Sequence, residues 1–126
     1  MKVIKIDDIQ TTQNPHGVDA RKIHDNENIQ AVHIRLKPGE QLKKHATPVD
    51  VFFYILEGEG IVEIGDEKRS VTQDMLIDSP KNIPHCLYNE GINDFRVLVV
   101  KTPRPTDAQN KQAIQSIKSN TDYHLK

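Results

Sequence analysis

The sequence predicts an all-β fold: a double-sheet jelly roll closed into a small barrel, with a short helix near the C-terminal end. Short runs rich in β-branched and aromatic residues recur between Gly- and Pro-containing turns as far as Lys101. Helical patterning is scarce outside the last quarter of the chain. The run Val51-Phe52-Phe53-Tyr54-Ile55-Leu56 is apolar at both parities, so neither face suits water, and two packed sheets answer that demand.

Taken in order, Val3, Ile4 and Ile6 form a short apolar segment that suits an edge strand. Residues 7–28 have a loop composition, with room for a short strand from Val18 to His24. From Ile29 to Leu36, Val32, Ile34 and Leu36 alternate with His33 and Arg35, which places His33 on the polar side of a half-buried strand. Lys37-Pro38-Gly39-Glu40 is a turn. The Val49–Leu56 strand ends at Glu57-Gly58-Glu59-Gly60, and Ile61–Ile64 leads into a tight hairpin at Gly65-Asp66. Ser70-Val71 and Met75-Leu76-Ile77 are short strands, Ile83–Tyr88 is another, and Phe95–Lys101 follows the 89–94 loop. Pro103 and Pro105 end the sheet. Thr106-Asp107 can cap a helix reaching Ile117, with Ala108, Ala113, Ile114 and Ile117 as a narrow apolar stripe.

The length of 126 residues matches one domain. Its expected parts are a core barrel over 29–101, an N-terminal strand-and-loop region over 1–28, and a partly helical tail over 102–126. A net charge of −1 gives no electrostatic footprint for nucleic acid. The longest apolar run is far too short to span a bilayer. The N-terminus lacks signal-peptide features and one cysteine makes no internal disulfide, so a cytoplasmic location is the default expectation.

Gly39 is followed after five residues by His45, and Gly58 closes that stretch. Further on, Pro80, His85 and Asn89 share a second regular spacing. In these residues the chain resembles the cupin superfamily over roughly residues 29–101, as a small cupin with a degenerate first motif. Asp74 and Asn82 stand where the second motif has glycines, while Thr47 and Val51 replace a histidine and a glutamate of the first. The resemblance implies a double-stranded β-helix, and a metal site of which this chain keeps His45 and His85. The implied cofactor is one divalent transition metal, iron, manganese, nickel or zinc.

Such sites normally need three or four protein ligands. Thr47 is a poor ligand when neutral and serves better as a hydrogen-bond donor. Strand alternation turns Asp50 away from the His45 face, on which Val51, Phe53 and Ile55 lie. His45, Thr47, Val51, Phe53 and His85 are therefore the candidate ligand pocket, and no catalytic residue can be named. His16, His24, His33 and His124 are read as surface or loop histidines. His16 or His24 could complete a site only if the N-terminal segment crosses the barrel mouth. Cys86 alternates away from His85 and is expected to be a buried structural thiol. Asn89 is expected to fix a turn, Tyr54 and Tyr88 to pack, and Lys111, Lys118 and Lys126 to form a solvated face.

Two function classes follow. One is a small-molecule-binding cupin with a reduced or absent metal site, acting as a sensor, carrier or accessory protein. The other is a metal-dependent oxygenase, isomerase or epimerase using His45 and His85. A homodimer is expected in either case, because the doubly apolar strand and the N-terminal segment suit a covering partner, and small cupins often pair.

Overall fold

The computed structural model describes residues 1–125, and the side chains of residues 1–117. The strands are β1 (Asp19–Asp25), β2 (Gln30–Leu36), β3 (Gln41–His45), β4 (Val51–Glu57), β5 (Glu59–Ile64), β6 (Glu67–Thr72), β7 (Leu76–Ser79), β8 (His85–Tyr88) and β9 (Phe95–Lys101), followed by the helix α1 (Asp107–Leu125). They form a five-stranded sheet ordered β1-β2-β9-β4-β7 and a four-stranded sheet ordered β3-β8-β5-β6. All pairings are antiparallel. This is the all-β, two-sheet jelly roll that the strand pattern predicts.

The core lies between the sheets. Leu36, Ile55, Phe95 and Val97 of the larger sheet and Leu87 of the smaller are fully buried, with Val62 and Val71 packed beside them. Each such side chain contributes about 1.5–3 kcal/mol by leaving water. The doubly apolar β4 resolves into a buried row, Val51, Phe53 and Ile55, and a half-buried outer row, Phe52, Tyr54 and Leu56. It is flanked by β9 and β7, so it is an interior strand of the larger sheet. The short strand expected from Val18 to His24 is present as β1, which pairs with β2 at the edge of this sheet.

Three expectations need correction. Val3 and Ile4 form no edge strand; they are 83% and 43% exposed, and Ile6–Asp8 is a short 3-10 turn. The chain here touches β1 through separate hydrogen bonds, Arg21 Nη1 to the Ile6 carbonyl (2.9 Å) and Thr12 N–H to the Ala20 carbonyl (2.8 Å), rather than a ladder. His33 is 1% exposed rather than solvent-facing. It sits in an interior strand and accepts a hydrogen bond at Nε2 from Arg96 Nε (3.0 Å), and burial beside Arg96 and Arg35 depresses its pKa. The helix continues past Ile117 to Leu125, and Ala108 is exposed rather than part of its inner stripe. His124, Lys118 and Lys126 lie outside the described side chains.

The helix start follows from a reciprocal cap. Thr106 Oγ1 accepts the Gln109 N–H (3.1 Å), and Gln109 Oε1 accepts the Thr106 N–H (2.9 Å). Among the described residues no helix is long and apolar enough to cross a membrane.

The two departures from glycine in the second motif have a backbone explanation. Asp74 and Asn82 both adopt left-handed geometry, with φ of 67° and 65°. Asp and Asn tolerate that region better than other residues with a side chain. The turn geometry is therefore kept although the glycines are not. Asn82 N–H donates to the Thr47 carbonyl (2.8 Å), tying this turn to the first motif. Asn82→Gly is expected to leave stability within about 0.5 kcal/mol, whereas Asn82→Val should cost about 1–2 kcal/mol. Urea midpoints with unchanged slope would check both values.

Candidate functional site

The register of β3 against β8 makes His45 and His85 direct cross-strand partners. Their rings meet edge to face, with centroids 4.8 Å apart, and Phe53 packs edge-on to His85 at 5.2 Å. These three residues, Thr47 and Val51 line one cavity of about 210 Å³ between the sheets. The five candidate pocket residues are thus brought together. Asp50 is exposed on the other side, where its Oδ1 accepts the Lys81 N–H (2.9 Å).

Two further segments line the cavity at its mouth. One is the 12–16 stretch, which crosses the barrel opening and brings in His16; the other is α1, which contributes Asn110, Ala113, Ile114 and Ile117. His16 is therefore not a surface histidine. The sequence Asn14-Pro15-His16-Gly17 builds a turn that aims it: Asn14 Oδ1 accepts the His16 N–H (3.1 Å), and Gly17 takes φ of 69°. The His16 ring lies 5.3 Å from that of His45. His24, by contrast, stays exposed beside Asn26.

Lys101 is the other residue that sequence reasoning missed. It ends the inward row Phe95, Val97, Val99, Lys101 of β9 and lines the same cavity. Extending the alternation by one more residue would have found it.

Hydrogen bonds fix the tautomers of two rings. His16 Nδ1 accepts the Lys43 N–H (2.8 Å), so a neutral His16 carries its proton on Nε2. His45 Nδ1 lies 2.8 Å from the Lys43 carbonyl, which only accepts, so the proton is on Nδ1 and Nε2 holds a lone pair. His85 Nδ1 is 2.7 Å from Ser79 Oγ, and its Nε2 is 3.4 Å from Thr47 Oγ1.

Electrostatics keep all three rings neutral near pH 7. Burial, reinforced by His45 and Lys101, pushes His16 and His85 down to about 3, and burial also lowers His45. Lys101 is lowered by its own burial. Cys86 lies outside the cavity; it donates to Glu63 Oε2 (3.2 Å), and burial pushes its pKa up to about 12, which makes it an inert thiol. Asn89 is buried and fixes a turn, donating from Nδ2 to the Leu36 and Asn93 carbonyls (2.9 and 2.7 Å). Tyr54 donates to Asp74 Oδ1 (3.0 Å), away from the cavity.

A resident transition metal does not fit this donor set. Val51 supplies no donor and Thr47 only a neutral hydroxyl. Because the Lys43 N–H occupies His16 Nδ1, that neutral ring turns a protonated Nε2 to the cavity, which leaves His45 and His85 as the imidazoles with a nitrogen lone pair to offer. Among the described residues no group of three or more His, Cys, Asp or Glu is arranged to hold one ion. What the cavity offers is a polar end of imidazoles, a hydroxyl and an amine, facing an apolar wall of Val32, Ile34, Leu42 and Val99.

Comparison with known proteins agrees with the barrel. The uncharacterized protein MJ0764 of Methanocaldococcus jannaschii is 29% identical over 85 residues, spanning 67% of this chain and 73% of that protein. Its crystal structure, described as an RmlC-like cupin with a double-stranded β-helix fold, superposes with a TM-score of 0.66 at 22% identity, covering 89% of this chain and 97% of the other. TT1209 of Thermus thermophilus superposes with a TM-score of 0.72 at 28% identity, covering 83% of this chain and all of that one. A predicted oxalate decarboxylase of Thermotoga maritima superposes at 0.74 with 17% identity, covering 82% and 100%, a likeness of fold alone. The cupin-domain family profile matches residues 32–101, which hold both motif histidines, the closing Gly58 and the left-handed turn at Asn82. On that match and this architecture, the chain belongs to the cupin domain family.

Proposed function

We propose that this cupin binds a small organic molecule directly, in the cavity between its sheets, as a sensor, carrier or accessory protein without a resident metal. One observation carries the reading: His45, His85, His16 and Lys101 converge on a largely apolar cavity in which, among the described residues, no three or more His, Cys, Asp or Glu are arranged to hold one ion. Cavities of this composition, apolar with a few convergent polar groups, are the usual form of ligand sites. At about 210 Å³ it lies below the range of drug-sized pockets, so the ligand is small.

The test is a methyl-detected NMR screen of small organic compounds. Binding should shift the methyl signals of Leu42, Val51, Val99 and Ile117 together, and His85→Ala should weaken it by about tenfold. Shifts confined to the outer surface, or an undisturbed interior across a broad library, would contradict the reading.

A homodimer belongs to the same proposal. The edge strand β7 and its flanks present Met75, Leu76 and Ile83 at 39%, 54% and 40% exposure beside an open groove. Sedimentation equilibrium should give twice the 14.4 kDa chain mass, and Leu76→Lys should return the mass to that of one chain.

A further inference from the structure

We infer that the cavity is selective for small organic anions, monocarboxylates with an apolar body, anchored on Lys101 with the His16 Nε2–H as a second donor. The inference rests on the small-molecule reading above and names the chemical class that it leaves open.

The charge inventory of the cavity is one-sided. Lys101 is the one charged side chain in its described lining, and neither Asp nor Glu lines it. Among the described residues Lys101 makes no ion pair. A half-buried amine facing an apolar cavity without a counter-charge carries a desolvation cost, and an incoming anion would offset it. The position belongs to the cavity face of the strand: it continues the inward row of Val97 and Val99 and pairs across the sheet with Val51.

Hydrogen-bonding polarity points the same way. Because the Lys43 N–H occupies His16 Nδ1, the neutral ring presents an N–H at Nε2. Thr47 adds a hydroxyl. The polar end is thus rich in donors and holds no negative charge, which suits a carboxylate and leaves an ammonium group without a counter-charge. His45 Nε2 is the lone acceptor fixed by geometry, and it can take a hydroxyl proton from a substituted acid. The wall formed by Val32, Ile34, Leu42 and Val99 suits a hydrocarbon body, while Thr12, Asn14 and Asn110 add neutral polar groups elsewhere in the lining. A volume of about 210 Å³, below that of drug-sized pockets, suits a small organic acid.

The experiment is calorimetry and methyl NMR on the full chain with matched probes: 3-methylbutanoate and benzoate, their primary amides, and the corresponding amines. The acids should bind with the cavity methyl signals shifting, the amides at least about tenfold more weakly, and the amines not at all. Lys101→Gln should weaken acid binding by about 30-fold or more while leaving amide binding within about twofold. His16→Phe, which keeps the ring and removes the donor, should weaken the acids by a smaller factor. Amides that bind as tightly as acids, with no response to Lys101→Gln, would overturn the anion inference and leave the cavity reading standing. No binding by any probe, in wild type or in Lys101→Gln, would overturn both.

Discussion

Gly58→Ala is expected to destabilise the fold by about 3–5 kcal/mol, a larger loss than most single substitutions cause. Gly58 joins β4 to β5 with φ of 79°, a region that costs a residue with a Cβ about 1–2 kcal/mol. A Cβ there would also run into the backbone carbonyl oxygen of Asp94, the residue just before β9. Backbone cannot rotate aside as a side chain can, so relief requires moving β9, the strand that pairs with both β2 and β4. The neighbouring Gly60→Ala would meet the ring of the fully buried Phe95, which has more ways to repack. Urea denaturation should therefore show a lower midpoint for Gly58→Ala than for Gly60→Ala, both with unchanged slope. A Gly58→Ala midpoint within error of wild type would refute the packing argument for this motif glycine.

The second large effect is a loss of stability in mild acid. His16 and His85 have pKa values of about 3 in the folded chain, against about 6.5 when unfolded. Their folded values are depressed, so between these limits the unfolded chain binds protons that the folded chain refuses. Stability from these groups is complete above about pH 6.5 and is lost as pH falls towards 3. Each histidine contributes a slope of up to about 1.4 kcal/mol per pH unit, so the pair removes on the order of 5 kcal/mol between about pH 7 and pH 4.5. The lowered pKa of His45 adds in the same direction. Chemical denaturation across that range, with a chelator present, should show the fall. The His16→Gln, His85→Gln double variant should flatten it by more than half. A wild-type profile that is flat from pH 7 to about pH 5 would contradict the burial of neutral rings.

Most of the barrel was legible in the sequence because its strands are short, β-branched and cleanly punctuated. Phe95–Lys101 lies between a polar loop and two prolines, and its bounds came out to the residue. The N-terminal segment misled because Val3, Ile4 and Ile6 have strand composition, while strand formation depends on an edge that can accept a ladder. His33 misled for a related reason. Alternation assigns a face, but a face of an interior strand can be covered by side chains from both neighbours, here including Arg96.

The site was legible in part. Spacing placed His45 and His85, and parity placed Thr47, Val51 and Phe53, so all five reach one cavity. His16 lies 29 positions before His45 in sequence, and nothing local says that its loop crosses the barrel mouth. Only the Asn14–Gly17 turn hints that this stretch is ordered. Lys101 was hidden by its position as the last residue of β9, where a lysine passes for the solvated end of a strand. The substituted motif positions are informative for opposite reasons. Asp74 and Asn82 keep the backbone geometry of the glycines they replace, whereas Thr47 and Val51 do not keep the ligand chemistry of the residues they replace.

Metal content tests the central claim most directly. Protein prepared without added metal, then dialysed against an equimolar mixture of iron, manganese, nickel and zinc, should retain well under ~0.2 equivalents of any of them, since His16 presents a protonated Nε2 and the two other imidazoles hold such ions weakly without a third donor. One full equivalent of a single metal, lost in the His45→Ala, His85→Ala double variant, would contradict the account and make the cavity a metal centre.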